Sequence, residues 1–222
     1  MMFSIDKSIT TTYPGTKMGI LIMREVSYSG SYEEQELVQV VDRLRQKYSH
    51  LDRKELKEIH PVQAYVAYYK KFGYSYHLLA QLESVLKGKK DLHSESGLLQ
   101  AMFISELDSM LLTAGYDLDQ LQFPLLLKSA TGMEAYRSIS SKKVTADQGD
   151  MALCDQTGAI SSILRGPDYE SRITESTTKV LFSIYAPPGI DSGYIEKNLK
   201  NLENSIHSLS PSSKTELLQV FD

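Results

Sequence analysis

The sequence predicts an α+β fold, and three observations carry that prediction. Apolar residues recur at helical spacing from residue 31 to about residue 112, and short aliphatic runs divided by Gly, Asp and Ser turns fill the stretch from 117 to 186. A single aliphatic run, "KMGILIMREVSYS" (17–29), precedes both blocks. Helices and strands gathered in separate blocks point to segregated layers, whereas a parallel sheet would need strict alternation.

Residues 17–29 follow a Pro-Gly turn and read as a buried strand. The next segment, "SYEEQELVQVVDRLRQKYS", opens with Ser31 and Glu34 in capping-box spacing. Leu37, Val40, Val41, Leu44 and Tyr48 then give one apolar stripe. Asp52 with Glu55 repeats the box before a short helix. Pro61 suits the first position of a third helix, which Gly73 can stop in the left-handed conformation. That helix carries Tyr65, Tyr68, Tyr69, Phe72, Tyr74 and Tyr76, read as core with a half-buried rim, although aromatics beside lysines also suit base stacking. "HLLAQLESVLKG" is a further amphipathic helix ending at Gly88. "SESGLLQAMFISELDSMLLTAG" is the longest, predicted to run into the corner "AGYDLD". Strand-like runs follow in "FPLLLKSA", "EAYRSIS", "DMALCD", "AISSILR" and "TKVLFSIYA". The chain returns to helix in "DSGYIEKNLKNLENSIHSL", and "PSSKTELLQVF" reads as a last short helix.

The 222 residues, 41% apolar and 23% charged, fit one domain over 1–222. Cys154 is the single cysteine, so no internal disulfide can form, and a reducing, cytoplasmic setting is expected. No apolar run reaches ~18 residues and no leader is visible at the start, so no membrane association is expected. The formal charge of −4 disfavours a general nucleic-acid binder, which needs cations to neutralise phosphates. Local basic candidates are Lys87, Lys89, Lys90, Lys142 and Lys143, with Lys70 and Lys71 beside the tyrosines.

Nucleotide cradles of the G-x-x-x-x-G-K-[ST] and G-x-G-x-x-G kinds are missing, as is a G-x-S-x-G elbow. The five histidines show no metal-ligand spacing with one another or with Cys154, so neither metal nor cofactor is expected. Cys154 sits in an apolar run and reads as a buried, inert thiol.

The order of several motifs resembles the B3/4 domain, found in the beta subunit of bacterial phenylalanyl-tRNA synthetase and as free-standing proteins. The motifs are "YYKKFG" (68–73), "LESVLKGKK" (82–90), "AGYDLD" (114–119), "LLLKSATGMEAYRSI" (125–139), "DQGDMALCDQTGAI" (147–160) and "SRITESTTKVLFSI" (171–184). The resemblance covers roughly residues 17 to 208. It implies a three-layer α+β domain around a β-sandwich or mixed sheet flanked by helices, with a cleft that in the synthetase hydrolyses misacylated tRNA.

The family's editing residues do not carry over. Leu112 and Ala114 stand where the synthetase has a proline and a histidine, and Ser183 stands where it has a glutamate. Gln100 and Phe103 replace an aspartate-asparagine pair, and only Asp117 is retained. A methyl group and a hydroxyl cannot stand in for an imidazole and a carboxylate as proton carriers near neutral pH. The polar candidates around the implied cleft are therefore Thr113, Asp117, Asp150, Arg165, Arg172, Thr177 and Ser183, with Ala114 at its wall. Arg165 and Arg172 flank "GPDYES", where a phosphate, a carboxylate, or simply Asp168 or Glu170 would pair with them. Thr177 suits its own backbone as well as a ligand.

The expected function is a free-standing module associated with RNA that acts on aminoacyl-tRNA. The alternative is a non-catalytic domain that holds an amino-acid-sized molecule or a partner. Catalytic residues and oligomeric state are left open by the sequence.

Overall fold

The computed structural model describes residues 2–222. The chain opens with strand β1 (Phe3–Ile5) and helix α1 (Lys7–Thr12), which the sequence reading did not anticipate. Asp6 caps α1 by accepting from the Ser8 amide at 2.8 Å. Strand β2 (Lys17–Arg24) follows as predicted.

Helix α2 (Glu34–Tyr48) starts later than expected, and its capping box is formed by Glu33 and Glu36 instead of Ser31 and Glu34. The Glu33 amide donates to Glu36 Oε2 at 2.8 Å. The acidic side chains also sit at the positive end of the helix dipole. Helix α3 (Arg53–Glu58) has the predicted Asp52–Glu55 box. Helix α4 (Val62–Lys71) is preceded by Pro61, and α5 (His77–Leu86) is followed by Gly88 at φ 66°. Tyr65, Tyr68, Tyr69 and Tyr76 are buried, Phe72 is half-buried and Tyr74 is exposed, so the aromatic cluster is core with a rim.

Helix α6 (Gly97–Ser109) ends at Met110, which adopts a left-handed conformation with φ 56°. It stops five residues before the glycine expected to end it. "TAGYD" is instead strand β3 (Thr113–Asp117), buried along its whole length. Gly115 shapes no turn. It lies mid-strand, where a Cβ would come within 2.9 Å of Ile173 and 3.0 Å of Phe182. Asp117 does shape the corner, accepting from the Asp119 amide at 3.0 Å to start one turn of 3₁₀ helix.

The remaining strands are β4 (Leu125–Ser129), β5 (Ala135–Arg137), β6 (Lys143–Thr145), β7 (Met151–Asp155), β8 (Gly158–Ser162), β9 (Gly166–Pro167) and β10 (Lys179–Ala186). Helix α7 (Ser192–Leu209) precedes a final strand, β11 (Lys214–Phe221). The predicted closing helix is thus a strand. Leu217, Leu218 and Phe221 fit one helical face equally well, but pairing with the otherwise open edge of β2 satisfies a full row of backbone groups.

Two sheets face each other. One is mixed, in the order β1-β4-β7-β8-β9 with β1 parallel to β4. The other is antiparallel, in the order β11-β2-β10-β3. Strand parity assigns the faces of the second sheet. Gly19 and Gly115 meet Ile195 of α7 and Met102 of α6, so that face carries the helices. Ala114, Tyr116, Ser183 and Tyr185 point the other way, toward β8 of the mixed sheet. The architecture is α+β, as the sequence predicts, with a helical layer, an antiparallel sheet and a mixed sheet in succession.

Asp150 ties three elements together from a fully buried position. Tyr68 of α4 donates to its Oδ1 at 2.6 Å, while the Tyr68 hydroxyl accepts from the Met151 amide at 2.8 Å. The Leu164 amide donates to Oδ2 at 3.1 Å. Removing the carboxyl strands a buried hydroxyl and a buried amide. Asp150→Ala is expected to cost about 1–3 kcal/mol in a urea unfolding titration, and a loss under ~0.5 kcal/mol, the scale of an ordinary surface substitution, would count against this brace.

Candidate functional site

A cleft of about 270 Å³ opens where β3 and β10 of one sheet meet β8 and β9 of the other. Helices α5 and α6 close it with His77 and Glu106. Thr113, Ala114, Ser161, Ser162, Arg165 and Tyr185 complete its polar and small-residue wall.

At the inner end three hydroxyls form a closed ring. Tyr116 donates to Ser161 Oγ at 2.8 Å and lies 2.8 Å from the Tyr185 hydroxyl, which in turn contacts Ser161. The ring gives each oxygen one donated and one accepted bond, so two tyrosines and a serine are buried without an orphan among them. Ser183, fully buried beside Tyr116 and Tyr185, has no hydrogen-bond partner for its Oγ.

Glu106 is the electrostatic centre of the cleft. It is buried, and its Oε1 accepts from the Thr113 amide at 2.8 Å. Its other oxygen makes no hydrogen bond, yet it is not among the sealed atoms, so it keeps access to the cleft. Burial pushes its pKa up to about 8, with the Thr113 amide and Lys90 opposing the rise. Near pH 7 the group is therefore a neutral carboxylic acid, able to donate.

His77 stands at the mouth with its ring against Tyr69 and Tyr76, at centroid distances of 6.0 and 5.9 Å. Desolvation by this packing and the nearby Lys90 hold its pKa below the ordinary imidazole value. Tyr69 spends its proton on the Ile163 carbonyl at 3.0 Å. The 3.4 Å contact from Tyr69 to His77 Nδ1 therefore has the imidazole as donor, which leaves Nε2 as an acceptor. Arg165 is held by Asp147 at 2.8 and 3.1 Å and by the Tyr74 hydroxyl at 2.8 Å, with Nη1 left without a partner among the described residues.

Of the residues singled out from sequence, the cleft brings together Thr113, Ala114 and Arg165. Arg165 pairs with Asp147, not with Asp168 or Glu170. Asp150 lies behind the wall as the brace for Leu164. Asp117 accepts from Thr177 Oγ1 at 2.7 Å, and Thr177 also accepts from the Thr174 amide at 2.9 Å, so both serve the corner. Arg172 stacks on Tyr169, with its guanidinium 3.6 Å from the ring centroid. Ser183 and Ala114 are direct cross-strand partners.

The lysines divide. Lys89 and Lys90 line an open groove against α2, Lys87 lines another beside α3, and Lys142 and Lys143 lie on the β5–β6 hairpin. Sequence reasoning missed Glu106 and His77. An acid at the end of the apolar run "LLQAMFISEL" (98–107) was the available signal for the first.

The chain matches no family model and no curated protein sequence. Among solved structures it is similar to an N-terminal fragment of the phenylalanyl-tRNA synthetase beta-subunit from Pyrococcus horikoshii, at 11% identity and a TM-score of 0.49. The alignment covers 96% of this chain and 50% of that one, so the chain spans about half the length of the fragment. This is a weak likeness of fold, and no site residue is carried across on it. Among the described residues no helix is long and apolar enough to cross a membrane, and no cluster of His, Cys, Asp and Glu is arranged to hold a metal.

The raised pKa of Glu106 has a defined consequence for stability. The neutral acid suits the folded state, so its contribution is fully present below the unfolded value near 4.5 and is lost as pH rises through about 8. Glu106→Gln is expected to leave the melting temperature nearly unchanged at pH 5 and to raise it at pH 9, by on the order of 4 kcal/mol in stability. Equal melting shifts at both values would contradict a buried neutral acid. Ser183→Ala removes an unpaired buried hydroxyl and is expected to be neutral or stabilising by up to ~1 kcal/mol in the same assay.

Proposed function

We propose that the cleft binds a small carboxylate of amino-acid size that also carries a hydrogen-bond donor, an amino acid or a 2-hydroxy acid. The observation that carries this reading is the buried Glu106 carboxyl, one oxygen fixed by the Thr113 amide and the other open to the cleft, a setting in which burial favours the protonated form. A protonated carboxyl in a half-closed, low-dielectric site donates a strong hydrogen bond to a carboxylate. Arg165 Nη1, without a partner among the described residues, adds a second donor, while Asp147 balances the charge of the guanidinium. His77 Nε2 supplies the matching acceptor for the amino or hydroxyl group.

The volume of about 270 Å³ lies just below the range of ~300–1,000 Å³ for drug-sized ligands, which suits a single amino acid better than a nucleotide. The aminoacyl-tRNA reading, with hydrolysis at this cleft, draws no support from its side chains. Neither Ala114 nor the neighbouring Ser183 can carry a proton near neutral pH, and no lysine lines the cleft.

Calorimetric titration with a panel of amino and 2-hydroxy acids at pH 6.5 and pH 9.5 tests the proposal. Saturable binding is expected at the lower pH, weakened at least tenfold at the higher, where Glu106 ionises and repels the ligand carboxylate. Glu106→Gln, which can still donate, is expected to retain binding at both pH values, whereas Glu106→Ala loses about 1.5–3 kcal/mol, the worth of a hydrogen bond to a charged group. Lack of binding by any panel member at pH 6.5, or indifference to Glu106→Ala, would overturn it.

A further inference from the structure

A second surface concentrates positive charge on this acidic chain. Strands β5 and β6 place Arg137 and Lys143 directly opposite each other, and both side chains are exposed. Like charges across a strand pair repel, so nothing in the folding of the hairpin favours the arrangement. Lys142 adjoins them at the hairpin turn, also exposed.

The Tyr169 amide donates to the Arg137 carbonyl at 2.8 Å, which brings the tyrosine ring against the hairpin. The Arg137 guanidinium lies 4.0 Å from the ring centroid and that of Arg172 lies 3.6 Å from it. Arg172 Nη1 donates to the Tyr169 carbonyl at 2.6 Å and meets no carboxylate among the described residues. Glu170 alone answers the cluster, pairing with Arg137 at 2.8 Å. Asp168 is buried and occupied with Ser171, and Asp155 is turned to the backbone and hydroxyl of Thr157 and to the Gln122 amide. Four cations thus face one surface carboxylate.

We propose that Arg137, Lys142, Lys143, Tyr169 and Arg172 form a docking surface for single-stranded nucleic acid. The lysines are mobile point charges that match a run of phosphates, and neutralising phosphates is the main source of such affinity. Two guanidinium groups already lie over one aromatic ring, and arginine with aromatic side chains also stacks on unpaired bases. An acidic protein segment fits less well. It offers no flat partner for these guanidinium groups, and the Arg137 fork is already taken by Glu170. The surface stands independently of the cleft.

Fluorescence anisotropy of the full chain with a labelled oligouridine, at 50 and 200 mM salt, tests the proposal. Saturable binding is expected, and phosphates neutralised by the three cations that Glu170 does not pair would weaken it roughly 20-fold over that salt interval. The double substitution Lys142→Glu with Lys143→Glu is expected to reduce affinity at least tenfold without changing the melting temperature, because both side chains are exposed. Arg172→Lys keeps the charge and loses the stack, so it is expected to weaken binding several-fold with the salt dependence unchanged. Lys87→Glu with Lys89→Glu is the control and should leave affinity within twofold. Failure to bind at 50 mM salt would overturn the proposal. So would equal affinity for polyglutamate of the same length, or equal loss in the control variant.

Discussion

The molecule depends on polar groups buried between its two sheets finding one another. Tyr116 and Tyr185 come from the antiparallel sheet and Ser161 from the mixed sheet, and their three hydroxyls close on themselves. Each alone would cost the desolvation of an unpaired hydroxyl, whereas together they fix the lateral position of one sheet on the other. That position decides where β8 and β9 stand relative to β3, and hence where the cleft opens. Tyr65 extends the constraint to the helices. Its hydroxyl donates to the Tyr185 carbonyl at 2.5 Å and accepts from the Leu112 amide at 3.0 Å, holding the entry to β3 against α4.

The cleft inherits its chemistry from this packing. Met110 turns the chain back immediately after α6, so the Thr113 amide at the start of β3 comes to lie over the Glu106 carboxyl. A single backbone hydrogen bond does not compensate the loss of water around a carboxylate, and Glu106 stays protonated. Asp117, at the far end of the same strand, has a different setting. It receives the Thr177 hydroxyl and the Asp119 amide and works as a corner cap. Two acids near the two ends of one strand therefore take opposite roles, one set by desolvation and the other by local turn geometry.

Where a local rule governs, the sequence was sufficient. The Asp52 box, the Gly88 stop and strands β2, β4, β7 and β10 depend on nearest neighbours or on alternation along a short run. Elements decided by distant partners were not legible. β11 is a strand because β2 would otherwise present an open edge, and β1 exists because β4 offers it a parallel partner. The start of α2 moved because Glu33 and Glu36 offered a second box at the same three-residue spacing. The cleft was legible in part, through Thr113, Ala114 and Arg165. Glu106 was hidden because an acid inside an apolar helix reads as one polar position on a solvated face until the sheet beneath it is known.

The segment "AGYDLD" shows how a period of two assigns roles that composition leaves open. Ala114 and Tyr116 face the mixed sheet, one at the cleft wall and one in the hydroxyl ring, while Gly115 between them admits Ile173, Phe182 and Met102 from the helical side. A larger residue at 115 would meet the tips of these three side chains, which would have to shift to admit it. The glycine that looked like a helix stop acts instead as a close-approach point between the antiparallel sheet and the helical layer.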